Sequence, residues 1–323
     1  MPTVLLLSIL LLLSACKQST APEEDRDFRR DMRDFVQQLS AYAKQRNPTF
    51  AVIIQNGHEL LTDSGEGDGE PAETFIETID GAARESLFYG YEADDRATPT
   101  RARDHMLSLT DLAHRRNLTV LVTDYCSTRS SMDDSYARNA DRDYVSFAAD
   151  HRGLDNIPAY PESPHAVNPD DIAELSQARN FLYLIDPGEF DDKETFIAAL
   201  EETDYDLLIV DMFFDYQPLN AADISRLQRK ENGGSRLVIA YMSIGEAEDY
   251  RYYFNPEWIV EPPTWMDAEN PDWEGNYKVR YWDEEWQAVI FGKTDSYLQK
   301  VMDAGFDGVY LDIIDAFEYF ERD

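Results

Sequence analysis

The chain has 323 residues, with 29 Lys plus Arg against 64 Asp plus Glu and a formal net charge of −35. Hydrophobic residues at 43% and aromatic residues at 12% are enough to bury a core, which excludes a disordered acidic chain. The charge excludes unspecific binding to nucleic-acid phosphates, and two Cys exclude a disulfide scaffold or a Cys-rich zinc module. None of the five His (His58, His105, His114, His151 and His165) makes an i, i+4 metal pair, so neither a metal nor a cofactor is expected. Seven Lys beside 22 Arg, with Asp above Glu, resembles the surface of proteins from salty habitats. There the Debye length falls to about 3 Å at 1 M salt. An ordinary acidic exported protein is the equal alternative.

Residues 4–13 read VLLLSILLLL. The run is short of the roughly 20 residues that span a bilayer, and it suits the apolar region of a secretory signal. It ends in Leu13-Ser14-Ala15-Cys16, which resembles the bacterial lipobox. That resemblance implies a signal over 1–15, lipidation at Cys16 and a polar tether over 16–27. It implies a lipoprotein of the bacterial cell envelope anchored in the membrane, and Lys17 favours the outer membrane. With Cys16 consumed, Cys126 has no intrachain partner.

Phe28, Met32, Phe35, Val36, Leu39 and Tyr42 share one helical face, which predicts an amphipathic helix over 25–45. Eight apolar, β-branched or aromatic runs follow as predicted strands: 50–55, 86–91, 118–125, 144–149, 180–186, 205–212, 236–244 and 306–313. Helical patterns fall at 71–85, 100–116, 194–203, 221–230 and 285–304. Near-continuous apolar strands are covered on both faces, as parallel strands are. Eight of them, with no Gly-rich dinucleotide loop, predict an α/β fold: a single-domain (β/α)8 TIM barrel over 28–323. The last strand lacks a following helix and the first helix lacks a preceding strand. A closed barrel reconciles the two if helix 25–45 packs beside strand 306–313. Residues 255–283, rich in Pro, Trp and Tyr, read as a long functional loop.

Polar residues gather at the strand ends, where a barrel keeps its chemistry. In chain order they are Gln55 and Asn56, Tyr91 and Glu92, Asp124, Asp150, Asp186, Asp211 and Asp215, Glu246 and Glu248, and Asp312 and Asp315. A single Asp at such a junction is as readily a helix N-cap. The ring as a whole is not, because Asp211 and Asp312 are embedded in apolar strand sequence. Crowded buried carboxylates acquire split pKa values, as acid–base catalysis requires. Many carboxylates, abundant Trp and Tyr and no nucleophilic Ser motif fit glycosidic hydrolysis, which needs a proton donor and a second carboxylate.

Three segments carry a family resemblance: AYMSIGEAEDYRYYF (240–254), GNYKVRYWDEEWQAVIFG (275–292) and GFDGVYLDIIDAFEYF (305–320). They resemble the glycoside hydrolases related to family 114, the endo-α-1,4-polygalactosaminidases, as do FAVIIQNGHELL (50–61) and NFLYLID (180–186). The resemblance implies a (β/α)8 barrel cleaving an α-linked, galactosamine-containing polysaccharide. In the relatives, the segment similar to 25–61 follows the GVYLDI strand, which implies a circularly permuted arrangement here. The fungal members carry Glu-Pro-Asp where this chain has Tyr310-Leu311-Asp312, so Asp312 is retained and the Glu is replaced. The matching motifs make Asp312, Glu246, Glu248 and Asp211 the catalytic candidates. Asp315, Tyr241, Arg251, Arg280, Tyr281, Trp282, Gln55, Asn56, Asp124 and Asp186 are the candidate substrate contacts. A non-catalytic surface carbohydrate-binding barrel, or an exported barrel enzyme of another class such as a deacetylase, remains the alternative.

Overall fold

The computed structural model describes residues 26–321. The signal, Cys16 and the tether up to residue 25 lie outside the described residues. Eight parallel strands make one sheet: β1 (Ala51–Gln55), β2 (Gly81–Glu85), β3 (Thr119–Tyr125), β4 (Val145–Ala149), β5 (Leu182–Leu184), β6 (Leu207–Asp211), β7 (Leu237–Ser243) and β8 (Gly308–Asp312). Their lateral order is β4-β3-β2-β1-β8-β7-β6-β5. Each strand therefore lies beside its neighbours in the chain, and β8 pairs with both β1 and β7. This is a (β/α)8 barrel with one seam, between β4 and β5, where side chains meet in place of a ladder. Phe147 packs there against Phe181 with ring centroids 5.8 Å apart. Every position of β1 and β4 is buried, which accounts for their largely apolar sequence.

Close packing at β8 depends on glycine. A Cβ on Gly308 would sit 2.4 Å from the Ala51 carbonyl oxygen, and one on Gly245 would sit 2.0 Å from that of Ile313. Both strand and crossing loop need hydrogen at these positions.

Helix α1 (Phe28–Arg46) starts at Asp27, whose carboxylate accepts the Arg30 amide, and ends at Asn47 before Pro48. It buries Met32, Phe35, Val36, Leu39 and Ala43. Phe35 meets Phe291, the Tyr42 hydroxyl donates to Gln299 at 2.8 Å, and Lys44 reaches Asp80 just before β2. The helix thus lies between the segment preceding β8 and the segment preceding β2, where a helix following β8 would lie.

Several elements differ from what the sequence predicts. The second strand is 81–85, not 86–91, and the expected helix 71–85 shrinks to Glu73–Ile76. Gly, Ala and Arg are poor strand formers, whereas Leu87 and Phe88 are apolar because they are buried in the loop that follows. Helix 285–304 is two helices, Glu284–Ile290 and Tyr297–Ala304, broken around Gly292 at φ +95°. A helix at Arg129–Ala140 escapes the apolar period, since two of its buried positions are Ser135 and Asn139. The stretch 255–283 is partly regular: Met266–Glu269 and Asn276–Val279 pair antiparallel, and Asn276–Val279 pairs with Glu246–Glu248.

Phe35 is fully buried in the face with which α1 covers the barrel. Phe35→Ala should cost about 3–5 kcal/mol in chemical denaturation. A loss below about 1 kcal/mol would contradict this packing.

Candidate active site

Parallel pairing in register delivers the C-terminal strand ends to one face. Asp312 pairs with Ser243, Asp211 with Tyr241 and Glu85 with Thr123. A cavity of about 510 Å³ opens over these ends. Seven carboxylates line it: Glu85, Asp186, Asp211, Glu246, Glu248, Asp312 and Asp315. Tyr183, Tyr241, Tyr125 and Tyr250 add aromatic and hydroxyl surface, and Trp273, 65% exposed, stands at its edge.

So much negative charge in one buried place is tolerated because part of it is neutralised. The Arg251 guanidinium donates to Glu248 Oε2 at 2.6 Å and to Asp211 Oδ1 at 2.8 Å. Burial opposes the Arg251 charge, and the two carboxylates more than offset it, so its pKa is raised. The Tyr250 hydroxyl donates to the other Glu248 oxygen at 2.6 Å. Glu246 is fully buried and receives Lys278, Asn270 at 2.8 Å and Asn276 at 3.3 Å, all from the strands and turn of the small antiparallel sheet. These three carboxylates are fixed acceptors with counter-charges in place.

Asp312 and Glu85 differ. Neither makes an ion pair among the described residues. Asp312 accepts the Tyr241 hydroxyl at 2.7 Å and the Ile313 amide at 2.8 Å. Glu85 accepts Asn56 Nδ2 at 3.1 Å and the Tyr125 hydroxyl. Burial, and after it the Glu85 charge, push Asp312 up to about 7. Asp315 is pushed up to about 6 by burial and by Glu318. Asp312 is therefore protonated in mildly acidic solution, beside the Glu85 carboxyl. Such an arrangement can give a proton to one atom of a ligand while a second carboxyl attends another.

The remaining candidates separate into two groups. Asn56, Asp186, Tyr241, Arg251 and Asp315 line the cavity, whereas Gln55, Asp124, Arg280, Tyr281 and Trp282 do not. Gln55 is buried under the floor, accepting the Tyr310 hydroxyl. Asp124 is wholly buried, accepting the Phe88 and Tyr89 amides and the Ser135 hydroxyl, so it braces the loop after β2. Arg280 pairs with Asp267 at 2.8 Å. Tyr281 donates to the Phe28 carbonyl, and Trp282 stacks near Phe28 and Phe320, both against α1. Trp265 and Trp286 are buried. Sequence reasoning missed Glu85, because the apolar run 86–91 drew the strand past it. Its signal was its place at the end of GAARE, two residues beyond the last small side chain, Ala83. Among the described residues no group of three His, Cys, Asp or Glu is placed to hold a metal ion.

Residues 176–323, a little under half of the chain, match the family model of glycoside-hydrolase family GH114. An uncharacterized protein of Methanocaldococcus jannaschii is 35% identical over 178 residues, 55% of this chain and 49% of that protein. An uncharacterized protein of Thermotoga maritima is 48% identical over 85 residues, 26% of this chain and 25% of its own. One of Deinococcus radiodurans is 40% identical over 126 residues, 39% and 38% of the two chains. The chain spans about half or less of the length of these curated relatives.

Arg251→Met would leave Asp211 and Glu248 buried without a counter-charge, at a cost of about 3–5 kcal/mol near neutral pH. Asp211, which burial already raises and Arg251 restrains, would then lie further above its unfolded value, so the stability deficit grows as pH rises and shrinks on acidification. Denaturation at pH 7 and pH 4.5 should show the larger deficit at pH 7; an equal deficit at both would contradict the charge account.

Proposed function

We propose that this protein is a glycoside hydrolase that cleaves an α-linked, galactosamine-containing polysaccharide through Asp312 and Glu85. One observation carries the reading. Glu85, Asp186, Asp312 and Asp315 line the mouth of the barrel without ion-pair partners among the described residues, and burial, then the Glu85 charge, raises the pKa of Asp312. Glycosidic cleavage asks for this asymmetry: a proton for the leaving oxygen, and an ionised carboxylate as nucleophile or base at the sugar carbon. Below about pH 7 the unliganded protein carries a proton on Asp312. Asn56 and Tyr125 orient Glu85, and Tyr241 orients Asp312. The relation to family GH114 over residues 176–323 supports the reaction class, and those residues include Asp312.

Glu246 and Glu248 take a different part in this reading. Through their ion pairs with Lys278 and Arg251 they fix the small antiparallel sheet and the loop at 250–252 around the substrate. Tyr250 and Trp273 supply faces on which sugar C–H surfaces stack. The export signal and Cys16 lipidation place the enzyme on the cell envelope, in the outer membrane, with the polysaccharide as its partner. Palmitate incorporation should vanish in Cys16→Ser, and persistence would remove the anchor.

The catalytic part is tested on α-1,4-galactosamine oligomers, with plain α-glucans as controls, by release of reducing ends. Asp312→Asn and Glu85→Gln should each lower kcat by about two orders of magnitude or more while the melting curve is kept. For the parent, kcat/KM should fall as pH rises through about 7, because the proton on Asp312 is lost there. Near-normal turnover by either variant would remove that residue from the mechanism.

A further inference from the structure

A second groove, of about 540 Å³, opens from the side of the active cavity. The two adjoin, sharing Asp186, Asp211, Tyr250 and Arg251 as lining. The groove runs between the turn after β5 and a small hairpin in which Phe213–Phe214 pairs with Gln217–Pro218. Asp215 and Tyr216 form the hairpin's two-residue turn, with Asp215 at φ +55° and Tyr216 77% exposed.

Its chemistry is aromatic and anionic. Asp191 and Asp215 have no cationic partner among the described residues, and Asp186 makes only the short-range bond from the Gly188 amide. Arg251, the only cation in the lining, is already committed to Asp211 and Glu248. The rings here already take cations from the protein. Lys300 lies 4.6 Å over Tyr252 and Arg251 lies 5.1 Å over Tyr250, whereas Tyr216 has no cation over it among the described residues. An exposed aromatic ring flanked by uncompensated carboxylates presents a cation–π face and charge partners to one incoming ammonium group.

We propose that this groove is a distal subsite for a glycosyl residue bearing a protonated amine, with Tyr216 as its stacking platform and Asp191 and Asp215 as its charge partners. The inference rests on the hydrolase reading and extends it to a position outside the reacting pair. The subsite engages only chains long enough to leave the active cavity. It therefore sets chain-length preference, and it contributes nothing to a substrate that fits between Asp312 and Glu85.

The test reads binding rather than turnover. Calorimetric titration uses full-length protein carrying Asp312→Asn, with an α-1,4-galactosamine trisaccharide and octasaccharide. Adding Tyr216→Ala should weaken octasaccharide binding about tenfold and leave trisaccharide binding unchanged. Asp191→Asn with Asp215→Asn should do the same, and added salt should narrow the gap between the two lengths. Asn tolerates the left-handed backbone at 215, so the turn is kept. Equal losses for both lengths, or no loss for the octasaccharide, would overturn the subsite while leaving the hydrolase reading intact. Absence of binding by either oligosaccharide, in the parent as well, would overturn the hydrolase reading and the subsite with it.

Discussion

The pairing of Arg251 with Asp211 and Glu248 is the interaction on which the rest of the site depends. Seven carboxylates crowd one cavity at the mouth of a barrel whose chain carries a net charge of −35. Left uncompensated, they would repel one another or take up protons. Arg251 fixes two of them and Lys278 a third; Glu246 and Glu248 are buried and Asp211 nearly so. Counter-charges are supplied to the carboxylates that hold the loops in place, whereas Glu85, Asp186, Asp312 and Asp315 make no ion pair among the described residues. That selective neutralisation leaves a coupled pair free to share a proton.

Much of the fold is legible because parallel barrel strands are buried on both faces. The runs at 50–55, 118–125, 205–212 and 236–244 each fall within one or two residues of the observed strands. The sequence also carries the puzzle of the helix without a strand and the strand without a helix, which α1 resolves between the segments preceding β8 and β2. What is hidden follows from tertiary context. β2 is built from Gly81, Ala82, Ala83, Arg84 and Glu85, whose intrinsic preference is against strands. It forms because β1 and β3 supply ladders on both sides. The helix 129–140 is hidden for a related reason: its inward face carries Ser135 and Asn139, which point at Asp124 rather than at apolar neighbours.

The site is legible in part for the same physical reason. Asp211 and Asp312 end strands of apolar sequence, and a carboxylate there has to be explained by the cavity it faces. Composition does not reveal which carboxylates hold counter-charges, since Lys278 lies 32 positions from Glu246 and Arg251 lies 40 from Asp211. Nor does it separate Trp273, which stands at the cavity, from Trp282, which packs against α1 in the same Trp-rich stretch. Glu85 was lost with its strand: a boundary error of a few residues turned an active-site end into the tail of a helix.

The account turns on the electrostatic coupling of Asp312 to Glu85, and this can be measured without a substrate. Carbon-13 labelling of the Asp carboxyl groups, with Asp312→Asn to assign the resonance, gives the titration curve of Asp312 directly by NMR. The account predicts a midpoint near about 7 in the parent and a lower one in Glu85→Gln, where burial remains and the facing charge is gone. A midpoint in the ordinary carboxylate range near about 4, unmoved by Glu85→Gln, would contradict it.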